Sequence, residues 1–107
     1  MKEIKYHKLV RDKIPDIIRA GGSECVCSVL DKEDYLRMLD EKLQEELLEY
    51  QESHDMEELA DMLEVIRAVI SAHGCTWEDV EKIRLSKKEK RGGFEKRILL
   101  EKVIHPE

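Results

Sequence analysis

The chain has 107 residues and a formal net charge of −6, with charged and apolar residues each making up 41% and aromatics only 5%. That length gives one domain (1–107) near the small end of what buries its own core, and five Gly and two Pro disfavour a β-sandwich or a disordered chain. The acidic balance excludes a protein whose main task is to coat a nucleic-acid polymer, because phosphate binding there is dominated by Lys and Arg.

In chain order, residues 1–11 read as extended or irregular and lack the apolar stretch of a secretion signal. No run is long and apolar enough to cross a bilayer, so no membrane partner is expected. Asp12 to Ala20 reads as a short helix capped by Asp12, with Ile14, Ile17 and Ile18 on one face, Pro15 in the first turn and Gly21-Gly22 as the stop. Residues 24–30 alternate as a strand, which puts Cys25 and Cys27 on one face as small buried hydrophobes. Together with Cys75 and a histidine they lack the spacing of a zinc knuckle. Three cysteines, an odd number, suit a reducing cytoplasm better than a disulfide framework.

Asp31, with Asp34 three residues on, opens a long helix to about Ser53 whose apolar stripe is Leu36, Leu39, Leu43, Leu47 and Tyr50. A break at Ser53-His54-Asp55 leads into a second long helix, to Ala72 with Gly74 beyond it. Thr76 caps a fourth helix, with Asp79 at the capping-box position, ending near Lys90 before Gly92-Gly93. Residues 97–104 form the best strand pattern and are expected to pair with 24–30, since an isolated strand leaves its backbone unpaired. The fold class is therefore mainly α: a helical hairpin or bundle with a small two-stranded β element. With so few aromatics, its Leu, Ile, Val and Met core is expected to be completed by oligomerisation.

The helix over 55–72 carries the chemistry. At about 100° per residue, Leu59, Leu63, Ile66 and Ile70 form one stripe, and Met62, Val65, Val69 and Ala72 form a second that continues onto Glu58 and Asp61. A helix apolar over most of its circumference is covered on several sides, so Glu58 and Asp61 extend a face expected to be buried. Glu46 and Glu49 project at the same i, i+3 spacing from the preceding helix, and the short connection makes the two helices antiparallel neighbours. Four carboxylates repel unless a cation compensates them. Oxygen-only ligands favour Mg²⁺, or Mn²⁺, over zinc. The competing reading is a solvated acidic face with pairs such as Lys42–Glu46; two motifs, one embedded among apolar positions, weigh against it.

Lys42-Leu-Gln-Glu-Glu46-Leu-Leu-Glu49 and Glu57-Glu58-Leu-Ala-Asp61-Met-Leu-Glu-Val-Ile resemble the MazG-like and phosphoribosyl-ATP-pyrophosphohydrolase-like all-α nucleoside triphosphate pyrophosphatases. Lys8-Leu-Val-Arg-Asp-Lys-Ile-Pro15 and Lys90-Arg-Gly-Gly-Phe-Glu-Lys-Arg-Ile98 resemble a small subgroup of that superfamily, so the resemblance covers nearly the whole chain. It implies a Mg²⁺-dependent hydrolase that cuts a nucleotide between its α- and β-phosphates. It also implies Glu46, Glu49, Glu58 and Asp61 as metal ligands, with Glu46 and neighbouring Glu45 in catalysis, Glu45 activating water or supporting the ligands. The assembly it implies is a homodimer or homotetramer. Hydrolysis of phosphoribosyl-ATP in histidine biosynthesis is the second enzymatic reading, and a non-catalytic nucleotide-binding or helical interaction module is the reading from another class.

A phosphate chain needs donors besides the metal. Lys42, one turn before Glu46, is a candidate, as are Arg11 and Lys13 near the N-terminus. Lys88 and Arg91, with Lys87 and Lys90, crowd the end of the fourth helix, where interaction with the helix C-terminus also accounts for them. Gly92 and Gly93, followed by the chain's single Phe, read as a loop whose backbone approaches a ligand. Trp77 reads as packing.

Overall fold

The computed structural model describes residues 2–107. Its helices are α1 (Ile14–Ala20), α2 (Lys32–Ser53), α3 (Met56–Ala72) and α4 (Trp77–Arg91). They fall in two compact units, one ending at Cys75 and the other beginning at Thr76.

In the first unit, α2 starts where an acceptor is available for its free N–H groups: the Asp31 carboxylate accepts from the Asp34 backbone N–H at 2.8 Å. At about 1.5 Å per residue its 22 residues run some 33 Å. It ends at His54, which takes a left-handed conformation (φ 57°) and donates its N–H to the Tyr50 carbonyl at 2.7 Å. Its ring meets the edge of Tyr50 at 5.3 Å between centroids, a contact that glycine would lack. Asp55 then caps α3 without a side-chain bond. Gly74 (φ 79°) closes α3, where the Cys75 N–H donates to the Ile70 carbonyl at 3.1 Å.

α2 and α3 are the helices that pack together, and the buried apolar side chains among the described residues are Met38, Leu39 and Ile70. Leu36, Leu43 and Tyr50 on α2, and Leu59, Met62, Val65, Ile66 and Val69 on α3, line the same seam half-buried. The expectation that α3 is covered on several sides does not hold within one chain. Leu63 is 51% exposed and Met56 is exposed too, because a single neighbouring helix shields a single flank. Glu58 and Asp61 are accordingly half-buried.

Three further expectations are corrected. α1 is capped by Lys13, which offers no side-chain acceptor, and not by Asp12; Pro15 fixes the first turn and leaves Asp12 one residue too early. No strand forms among the described residues, so the two-stranded element of 24–30 and 97–104 is absent. Val26 and Val29 are fully exposed, the tail's Ile98, Leu99, Leu100, Val103 and Ile104 are largely so, and alternation marks a strand only where a sheet exists to bury one face. The Cys25 and Cys27 sulfurs do lie on one side, 3.9 Å apart, but Cys25 is half-buried and Cys27 exposed.

In the second unit, α4 opens with both halves of the capping box: Thr76 Oγ1 accepts from the Asp79 N–H at 3.2 Å, and Asp79 accepts from the Thr76 N–H at 2.9 Å. Its last turn is basic and ends at Gly92, whose N–H donates to the Lys88 carbonyl at 2.8 Å.

Candidate metal centre

The hairpin brings together three of the four carboxylates singled out in the two acidic motifs. Glu46 on α2 and Glu58 and Asp61 on α3 each present one oxygen, and these oxygens lie within 4.8 Å of one another. Among the described residues this is the convergence of metal-capable side chains; no comparable Cys and His group forms. Glu49 stands beside the trio. Its carboxyl acts on both Glu46 and Glu58, while the residue itself is exposed.

Glu46 is the unusual member. It is 6% exposed, and its Oε2 is sealed from solvent with no hydrogen-bond donor. Lys42, one turn earlier, lies 3.5 Å from the other oxygen, Oε1, and 3.5 Å from Glu45. Burial pushes the Glu46 carboxyl above the usual carboxylate range; Glu49 and, more weakly, Asp61 add to this, and Lys42 opposes it. Glu58 is raised as well, first by desolvation, then by the charge of Glu49, then by Asp61 and Asp55. A buried oxygen without a donor, at the meeting point of two further carboxylates, is what a hard divalent cation satisfies, and an all-oxygen donor set fits Mg²⁺ or Mn²⁺.

The basic residues are distributed unevenly. Arg11 Nη2 lies 2.7 Å from Asp61 Oδ1, a charge-assisted hydrogen bond spanning fifty positions. Lys8 reaches Glu45 at 3.6 Å. The N-terminal segment thus touches α2 through Lys8 and α3 through Arg11. His7, Lys8 and half-buried Leu9 line a cavity of about 40 Å³ with Met38, Lys42 and Glu45. Lys8 is the residue that sequence reasoning passed over, since a contact between an irregular segment and a distant helix leaves no periodic trace. Glu45 is held by Lys8 and Lys42 outside the carboxylate trio.

Lys13 is exposed at the start of α1. Lys88, Arg91, Gly92 and Gly93 belong to the second unit. There Arg91 lines a cavity of about 390 Å³ with Lys82, Ile83, Ser86, Lys87 and Lys90, and Lys88 is not part of it. Gly93 faces the Glu95 carboxylate so closely that no Cβ would fit without moving it, and Phe94 is exposed.

A stretch of 42 residues is 48% identical to an uncharacterized protein of Mycolicibacterium smegmatis, covering 39% of this chain and 43% of that protein. The chain therefore spans less than half of that relative's length. No family model and no solved structure matches the chain.

Proposed function

We propose that the protein is a divalent-cation-dependent nucleotide pyrophosphohydrolase, cleaving the α–β phosphate bond of a nucleoside triphosphate to monophosphate and pyrophosphate. The observation that carries this reading is the convergence of Glu46, Glu58 and Asp61 with Glu46 Oε2 buried and without a donor. The resemblance of both acidic motifs to the MazG-like pyrophosphatases supplies the reaction class. Glu46, Glu58 and Asp61 hold the cation, with Glu49 at their edge. Bound Mg²⁺ or Mn²⁺ supplies charge neutralisation of the phosphates and a more acidic water.

The chain's own residues do the rest. Lys42 holds Glu46 and Glu45 in place, and Glu45 supports the ligands from outside the trio. Two cationic groups of the N-terminal segment, Arg11 at Asp61 and Lys8 at Glu45, are oriented by carboxylates, which leaves them positioned beside an incoming phosphate chain. No helix among the described residues is long and apolar enough to cross a membrane, and three free thiols suit a reducing cytoplasm. Exposed Leu48, Met56 and Leu63 on the hairpin support self-association into a homodimer or homotetramer that completes the small core.

The test is incubation with Mg²⁺ and a panel of canonical and damaged nucleoside triphosphates, with release of pyrophosphate and monophosphate measured. Turnover of at least one of them is expected. A cation-loaded protein that turns over none would overturn the reading.

A further inference from the structure

We propose that Arg11 is an exchangeable counterion of the acidic cluster: it pairs with Asp61 while no cation is held there, and turns to the phosphates of the anionic ligand once a divalent ion takes Asp61. The proposal rests on the reading of the cluster as a cation site, and it gives Arg11 a positioning role that depends on occupancy of that site.

Three observations carry it. First, the guanidinium occupies one of the three converging carboxylates, at 2.7 Å, yet leaves Glu46 Oε2 buried and without a donor. Arg11 therefore satisfies only part of the cluster's demand for positive charge. A divalent ion carries twice the charge, can be shared by all three converging oxygens, and repels a guanidinium at the same carboxylate. Second, the Arg11 side chain is 57% exposed, so its departure from Asp61 breaks an ion pair of the weakly stabilising surface kind and opens no cavity. Third, the segment has another anchor. Lys8 holds Glu45 at 3.6 Å, and half-buried Leu9 lies by Met38 and Lys42. When Arg11 lets go, this anchor keeps it beside the cluster. A planar guanidinium then has the fork geometry that phosphate oxygens accept.

The two equilibria are linked, so a substitution that removes the guanidinium must act on cation and anion with opposite signs. The experiment uses the full chain as wild type, Arg11→Gln and Arg11→Lys. Mn²⁺ affinity is measured by calorimetry, followed by the affinity of the Mn²⁺-saturated protein for inorganic pyrophosphate. The Arg11 Nε resonance of the wild type is followed during a Mg²⁺ titration. Arg11→Gln is expected to bind Mn²⁺ about fivefold more tightly, and pyrophosphate about fivefold or more weakly, as couplings of this kind run. Arg11→Lys should fall between the two proteins on both scales, and Mg²⁺ should shift the Arg11 resonance. If both affinities fall together in Arg11→Gln, the residue is only structural and the proposal fails. It fails equally if Mn²⁺ affinity is unchanged, or if Mg²⁺ binds without moving the Arg11 signal. A wild type that binds neither ion overturns the cation site itself, and the proposal with it.

Discussion

The α2–α3 hairpin and the first half of α4 are both rich in carboxylates, and they treat them in opposite ways. On α4, Arg84 Nε donates to both oxygens of Glu81 at 3.0 and 3.1 Å, and its Nη2 adds a further bond; the Asp79 carboxylate accepts from the Thr76 backbone N–H of its own capping box. Those donors hold both carboxyls below the usual range. On the hairpin, Glu46 and Glu58 face other carboxylates in a drier setting and are held above it. Local sequence explains the first case completely, because each partner lies three residues away. In the second case the chain supplies less positive charge than it gathers negative charge, and Glu46 Oε2 is left buried without a donor.

The contrast is broken most directly by substitution. Glu46→Gln and Asp61→Asn should each lower pyrophosphate release about a hundredfold or more, as loss of a metal ligand does. Glu81→Gln, which removes a carboxylate partnered within its own helix, should leave the rate within about twofold, since surface changes away from a site act weakly. Equal losses in Glu46→Gln and Glu81→Gln would erase the distinction.

A smaller effect is expected on stability. A cation bound only by the folded hairpin, supplied at about a hundred times its dissociation constant, adds about 2.7 kcal/mol to unfolding. Denaturant titration with and without Mn²⁺ should show that gain in the wild type and not in Glu46→Gln. The same gain in the variant would place the ion elsewhere.

The pH response is smaller still, but its sign is specific. Glu46 and Glu58 have folded values raised above their unfolded ones, so their contribution to stability is fully present below about pH 4.3 and is lost as pH rises through the raised values. Asp79 and Glu81 are lowered, so theirs is present above about pH 4 and is lost as pH falls through the lowered values. In cation-free buffer, stability should therefore gain from the hairpin as pH falls from neutral toward about 4.3, and lose the α4 contribution below about 4. Glu46→Gln should flatten the first limb only, as read by thermal melting across pH. A variant that keeps the full slope would refute the assignment to Glu46.

What could be read from the sequence follows the range of the interaction. The Asp31–Asp34 cap and the Thr76–Asp79 box are three-residue signals, and both form as the residue types require. The meeting of Glu46 with Glu58 and Asp61 was legible because two i, i+3 pairs flank a short break between helices. Periodicity does not rank the four acids, however. Glu46 is buried and Glu49 exposed because the single seam between α2 and α3 decides which side of the stripe is covered. The Arg11–Asp61 pair was illegible as a pair, since nothing local relates residues fifty positions apart. The two strands failed for the opposite reason: Val26, Val29 and Ile98 carry a real local pattern, but a strand exists only through a partner.

The turn between the acidic helices has a consequence for folding kinetics. Only His54 and Asp55 separate α2 from α3, so Glu46 meets Glu58 and Asp61 by closing one short loop, and closure entropy grows only with the logarithm of loop length. The cluster therefore belongs to the early, local part of the folding reaction, where contacts of low sequence separation form first. Mutual repulsion of the carboxylates slows that step in the bare chain. On the cation-site reading proposed above, an ion captured by the nascent hairpin would remove that repulsion and favour this early contact.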